Sequence, residues 1–364
     1  MRKIIKLLVL LFLNLAAVSQ DSAWYGAFSG RIGQHPVVLQ LHQTAGQYTG
    51  FYYYQRSQLP IEFTGMADNG NLRLRAFSQW DRSRDAVDEV FVLNLHGDSL
   101  TGTWQLTDTS RRLDVALARE SKPPFSLRNF HVTGNTRLRP GRDDSPAASF
   151  DASLLWPAGK QTAAVALQKA ISKFAGAKET IINPQQYLDN RKKTFLNDYQ
   201  AGFRDVADSD WVEFPAGYAH DQLENMRVVY FSDKWISLSR FFYSFTGGAH
   251  GNYASQYLCF DIRQEKALRL GDVLMPSGIV VAPEFLAENL RRQLGLMNNE
   301  PLSNGGLFEN EVPVTENFYL TGTGIVFSYP PYEIAPYALG EIQVFLTFQQ
   351  MKAYLQPAFA EIIR

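Results

Sequence analysis

Between Trp24 and Arg119 the chain is a succession of short runs in which apolar and polar residues alternate. A period of two sends successive side chains to opposite faces of a strand, so each run can bury one face and wet the other. Eight runs fall at about 24–30, 36–43, 48–55, 59–67, 71–78, 88–96, 99–107 and 111–118. Gly33, Ala45-Gly46, Asp68-Asn69-Gly70 and Gly97-Asp98 lie between them and supply the positive φ that tight hairpins need. Strands joined in this way, one after another, predict an up-and-down β-barrel. Small residues beside bulky ones, as in Tyr48-Thr49-Gly50-Phe51 and Thr101-Gly102-Thr103-Trp104, suit barrel curvature. Such a barrel either fills with side chains or holds one small ligand. A filled core is the expectation here, and ligand binding in the barrel is kept as an alternative.

The periodicity changes after residue 120. Pro123-Pro124, Pro140-Gly141 and Asp143-Asp144-Ser145-Pro146 read as a linker over 121–150, with an extended strand leading out of it. Residues 161–175 carry Val165, Leu167, Ile171 and Phe174 at helical spacing. Asn183-Pro184 offers an N-cap and a first-turn proline to a helix running to about Arg204. A third helix is expected from about Pro283 and a fourth from about Phe348, with strands near 211–219, 226–232, 235–245, 253–263, 318–327 and 341–347. The fold class is therefore α+β overall. An all-β barrel over 21–120 precedes an α+β domain over 151–364 whose sheet is mainly antiparallel.

Met1-Arg2-Lys3-Ile4-Ile5-Lys6, the apolar run from Leu7 to Leu13 and the small residues Ala16-Ala17-Val18-Ser19 form the pattern of an export signal over 1–19. The expected product is a periplasmic or secreted protein with no stable membrane anchor. The one cysteine, Cys259, does not sit at the cleavage point, so a lipid anchor is not expected, and it reads as a buried core thiol. A formal net charge of −1 with interspersed signs lacks the basic footprint of a nucleic-acid binder.

Two segments stand out as candidate sites. Thr246-Gly247-Gly248-Ala249-His250-Gly251 places a histidine on a glycine-rich excursion between two aromatic strands. Tyr329-Pro330-Pro331-Tyr332-Glu333-Ile334-Ala335-Pro336-Tyr337 presents three tyrosines on a proline-stiffened loop, a surface that loses little entropy when it binds. Together they give the binding candidates Thr246, Gly247, Gly248, His250, Tyr329, Tyr332, Glu333 and Tyr337. A bland reading stands beside each: a histidine pinning its own turn, and an aromatic loop covering a sheet edge.

These segments, with the stretch from Phe260-Asp261 to Leu270, resemble in order and spacing the extracellular domain of RsiV-type anti-sigma factors and PdaC-type peptidoglycan deacetylases, a domain of unknown function of the DUF3298/DUF4163 kind. The resemblance covers roughly 150–364, behind a lipocalin-like barrel that those relatives lack. It implies a domain that binds lysozyme in the anti-sigma factors and accompanies a separate catalytic domain in the deacetylases. Neither an anti-sigma segment nor the deacetylases' metal-binding catalytic domain has a counterpart here.

The leading expectation is an exported envelope protein that binds, without catalysis, a cell-wall glycan or a wall-acting protein such as a lysozyme. No cofactor and no metal site are expected, since the six histidines include no closely spaced ligand pair. The contrasting alternative is a hydrolase of glycans or esters, with His250 as base and Asp261, Asp272 or Glu333 as its carboxylate partner. Gly-x-Ser-x-Gly and His-Glu-x-x-His are both missing from the sequence.

Overall fold

The computed structural model describes residues 23–77, 80, 88–108, 111–121 and 123–363. The export signal expected over 1–19 lies outside them. Among the described residues, eight antiparallel strands close into a barrel: β1 (Trp24–Ile32), β2 (His35–Thr44), β3 (Gln47–Tyr54), β4 (Ile61–Asp68), β5 (Asn71–Phe77), β6 (Glu89–His96), β7 (Ser99–Leu106) and β8 (Arg112–Arg119). β8 returns to β1 through Phe28–Arg119 to Ile32–Val115, which seals the edges that a flat sheet would expose. The inward residues, among them Phe28, Leu39, Leu41, Tyr52, Phe63, Leu74, Phe91, Leu93 and Leu100, are buried against one another. Side chains fill the interior, so ligand binding inside the barrel is no longer a tenable reading.

The linker is shorter than the sequence suggested. β9 (Leu127–Arg137) and β10 (Ala147–Pro157) pair along their whole length, and the turn chemistry at Pro140-Gly141 and Asp143–Pro146 only joins them. They belong to the second domain's large sheet, whose order is β14-β13-β12-β11-β10-β9. The other members are β11 (His220–Phe231), β12 (Trp235–Phe245), β13 (Asn252–Asp261) and β14 (Lys266–Leu268). β10 and β11 run parallel, and every other pair is antiparallel. A second sheet, β15 (Phe318–Leu320), β16 (Gly324–Tyr329) and β17 (Ile342–Thr347), replaces the single strand expected near 318–327 with two.

Helices α1 (Thr162–Phe174) and α2 (Pro184–Gly202) cover one face of the large sheet, where Leu167, Ile171 and Leu188 pack on Leu154, Val228 and Ile236. As read from the sequence, Asn183 caps α2: its side chain accepts the Gln186 N–H at 3.1 Å. The other face packs on the three-stranded sheet, and Cys259 lies in that core, where burial pushes its thiol up to about 12.

Three expectations are corrected. Residues 211–219 form the short helix α3 (Asp208–Glu213) and a 3₁₀ turn over Pro215–Tyr218, not a strand. Asp208 and Asp210 favour a helix start, and Trp211 is buried beneath the Arg142 guanidinium, 4.7 Å from its ring centroid. After the one-turn α4 (Leu270–Val273), α5 (Pro276–Gln293) begins two turns before Pro283, which sits inside the helix. Its true start is Pro276, another first-turn proline. The last helix, α6, covers only Pro357–Ile362.

The barrel docks its β2–β4 wall on β11. Arg227 Nη1 donates to Glu62 Oε1 at 2.5 Å while its guanidinium lies 5.0 Å from the Phe51 ring. His42 Nε2 accepts the Val228 N–H at 3.1 Å, and Tyr230 donates to Gln58 Oε1 at 2.7 Å. Burial, helped by Arg227, pushes His42 down to about 3, so it stays neutral across the physiological range.

Candidate functional site

The chain reverses direction between β12 and β13 through Thr246–Gly251. Gly247 adopts φ +85°, and a Cβ there would lie 2.5 Å from the Gly217 carbonyl oxygen. A Cβ on Gly251 would collide with the Tyr243 ring at 2.4 Å. The glycines thus let the excursion fold back against its neighbours, leaving His250 exposed at its tip. Gly247→Ala is expected to lose about 2 kcal/mol or more in chemical denaturation, from the left-handed backbone and the clash together.

The proline-rich loop meets this turn. Tyr337 stacks on His250 with ring centroids 4.2 Å apart and 28° between planes, and its hydroxyl donates to Gly251 O at 2.8 Å. The same carbonyl oxygen lies 3.0 Å from His250 Nδ1. A carbonyl only accepts, so Nδ1 carries the proton in the neutral ring and Nε2 keeps a lone pair. The Tyr332 hydroxyl reaches that Nε2 at 3.5 Å, and its ring lies 5.7 Å from Tyr337. Tyr253, which sequence reasoning left out of the candidates, braces Tyr337 edge-on at 5.5 Å.

Tyr332 is the unusual residue. A turn closed by the Glu333 N–H on Pro330 O, 3.1 Å, puts Tyr332 at its third position with φ +72°. Glycine or asparagine ordinarily takes that position, because a Cβ there is strained. The Tyr332 N–H is held by Ala335 O at 2.9 Å, and the residue is 55% exposed.

Of the sequence candidates, the structure brings together His250, Tyr332 and Tyr337, with Gly247 shaping the turn and Thr246 and Gly248 exposed upon it. Glu333 is exposed on the same loop, and partial burial raises its carboxyl. Tyr329 does not join them. It is fully buried in the core with its hydroxyl on Pro313 O at 2.7 Å, because β16 continues to Tyr329 and turns that ring inward.

Asp261 and Asp272 are also remote. Asp261 closes β13, nine residues from Asn252 at the other end of the strand, a span of roughly 30 Å. Its carboxylate is buried and accepts the N–H groups of Arg263 and Gln264 at 2.9 and 2.8 Å. Asp272 caps α4 through the Arg269 N–H at 2.8 Å and pairs with Lys266 at 2.9 Å. Both carboxylates are structural, and neither can orient His250. Among the described residues, no three His, Cys, Asp or Glu side chains gather as metal ligands would.

Sequence reasoning missed the apolar fringe. Phe308 lies beside the loop, its N–H on Ile334 O at 3.0 Å, and is 51% exposed. Phe214, 57% exposed, precedes the Pro215–Tyr218 turn whose Gly217 abuts Gly247. The Phe214-Pro215-Ala216-Gly217 sequence carried a turn signal that the apparent strand alternation hid.

Fold and site together define a two-domain protein, a packed barrel docked on an α+β domain that displays aromatic residues on a strained loop. Residues 145–253 match the family described as deacetylase PdaC, and residues 272–349 match that described as protein of unknown function DUF3298. The second domain thus bears out the resemblance read from its motifs. The crystal structure of a DUF3298 family member from Bacteroides fragilis is 21% identical, with a TM-score of 0.59 over 66% of this chain and 99% of that one. A DUF3298 family protein from Pseudomonas aeruginosa PAO1 is 19% identical, with a TM-score of 0.43 over 64% and 96%. At the first of these identities the likeness is one of fold alone. No curated protein matches the chain.

Proposed function

We propose that this is an exported envelope protein whose second domain binds, without catalysis, a cell-wall glycan across the His250–Tyr332–Tyr337 surface. The observation that carries the reading is Tyr332: a large aromatic residue, 55% exposed, at a left-handed turn position that glycine would occupy more cheaply. Backbone strain of this kind persists where it serves a function. A projecting ring backed by a His–Tyr stack offers flat apolar faces to sugar rings. The ring nitrogen, the tyrosine hydroxyls and Glu333 offer polar partners at its edge. The hydrolase reading loses support, since its two aspartates belong to other parts of the fold and no hydrogen bond joins Glu333 to His250 among the described residues.

The exposed Phe214 and Phe308 favour a second reading, in which a wall-acting protein of the lysozyme kind covers the same surface. Co-sedimentation with purified peptidoglycan sacculi tests the first reading, with lysozyme binding measured in parallel. Tyr332→Gly relieves the turn while removing the ring. It is expected to match or exceed the wild type in thermal stability and to lose sacculus binding about tenfold or more. Unchanged binding in that variant would assign Tyr332 a purely architectural role.

A further inference from the structure

We propose that the glycan site extends from the Tyr332 surface across the open half of the large sheet, so that it takes a strand of several linked neutral sugars. This rests on the glycan reading of that surface and adds the length and polarity of the ligand. Alternation along the strands sends Asp151, Leu223, Tyr243 and Tyr253 to the face opposite α1 and α2. The register joins them in one row: Asp151 pairs with Leu223, Leu223 with Tyr243 and Tyr243 with Tyr253. Four adjacent strands are crossed, a span of roughly 14 Å.

The row begins where the tyrosine loop ends. Tyr253 touches Tyr337 at 5.5 Å and lies 6.0 Å from the Phe241 ring, centroid to centroid. Gly251, with no Cβ, lets the Tyr243 ring lie against the His250 turn. Aromatic groups therefore continue from Tyr332 through Tyr337 and Tyr253 onto the sheet. The barrel and the three-stranded sheet pack on the same face at a different row, Arg227–Ser239–Tyr257, through Glu62 and Tyr319. Asp151, Leu223, Tyr243 and Tyr253 stay partly exposed, and Thr133 and Ser149 beside Asp151 are exposed.

The polar groups on this face suit sugar hydroxyls. Asn225, two residues from Leu223 along β11, gives its side-chain oxygen to the Ser153 hydroxyl at 3.0 Å, so what it offers a ligand is its amide N–H groups. Asp151 meets His131 Nε2 with one oxygen at 3.1 Å and has the other as an acceptor. No Lys or Arg occurs among residues 149–153, 221–225, 241–245 or 253–255, the segments that form the floor. A floor with a carboxylate and no cation disfavours phosphate-bearing polymers. Flat rings with hydroxyls at their edges match its aromatic faces, its acceptor and its donors together.

Calorimetric titration of the full chain with chitobiose and chitohexaose, neutral β-linked N-acetylglucosamine oligomers, tests this. The hexamer is expected to bind at least about tenfold more tightly than the dimer, more than repetition of one unit alone provides. Leu223→Arg lays a long charged side chain across the middle of the row. It should bring chitohexaose down to the affinity of chitobiose in a protein that melts as the wild type does. Equal affinity of the wild type for the two oligomers, a hexamer preference that survives in folded Leu223→Arg, or no binding of either oligomer would each overturn the extended site. Sacculus binding by Tyr332→Gly decides the aromatic surface separately: its loss, beside equal oligomer affinities, would keep the Tyr332 reading and remove the groove.

Discussion

Glu224→Ala is expected to destabilise the second domain by about 3–5 kcal/mol, which lowers its melting temperature by about 10 °C. Glu224 lies on β11 with 5% of its side chain exposed and holds three elements together. Arg191 of α2 grips it with both guanidinium nitrogens, one at 2.5 Å, and Arg240 of β12 reaches the same carboxylate at 2.9 Å. Burial alone would raise this carboxyl, but the Arg191 and Arg240 guanidiniums outweigh it and hold it below its ordinary value. A depressed folded pKa means that the stabilisation is present above the unfolded value and is lost as the pH falls through the folded one. Thermal melts of the variant should therefore diverge most from wild type near neutrality and converge in acid. A loss under 1 kcal/mol at pH 7 would show that the cluster does not tie α2 to the sheet.

Glu341→Gln should act in the opposite direction and stabilise the protein at alkaline pH. Glu341 precedes β17 and accepts the Ser328 hydroxyl at 2.6 Å. Burial, aided by the Glu62 carboxylate and opposed by the hydroxyls of Ser328 and Ser255 and by Arg227, raises it from an ordinary 4.5 to about 7. The folded state holds this proton more tightly than the unfolded chain does. The resulting stabilisation is complete below about pH 4.5 and is lost as the pH rises to about 7, a loss of up to about 3 kcal/mol. Glutamine keeps the acceptor for Ser328 and never ionises. Urea denaturation should find wild type and variant equal near pH 4 and the variant more stable at pH 8. Because Glu62 and Arg227 form the ion pair between barrel and sheet, the same titration reports on domain docking.

What was legible in the sequence divides along physical lines. The barrel was readable because each strand carries a period-two pattern and each hairpin its own turn residues, both local signals. The helix at Pro184–Gly202 was readable from Asn183-Pro184 for the same reason. Local signals misled where tertiary packing decides: Trp211-Val212-Glu213-Phe214 alternates like a strand, yet only Trp211 is buried. Pro283 looked like a helix start although Pro276 supplies it. At the site, the His250 turn and the tyrosine loop were visible as motifs, but their meeting across 82 residues of sequence is a product of the fold. Tyr329 and Tyr332 have the same composition-level signature. Only the end of β16 and the turn after it send one ring to the core and the other to solvent. The interdomain contacts of His42, Glu62 and Arg227 left no pattern, because each is a lone polar residue on a strand.

The central claim is that the exposed ring of Tyr332 and the stack behind it form a binding surface. The most direct measurement is calorimetric titration of a soluble disaccharide-peptide fragment of peptidoglycan into the wild type, Tyr332→Gly and Tyr337→Ala. The expected result is saturable binding by the wild type, weakened about tenfold or more in both variants, with Tyr332→Gly at least as stable to heat as the wild type. Equal affinity in all three proteins, or no binding by the wild type, would contradict it.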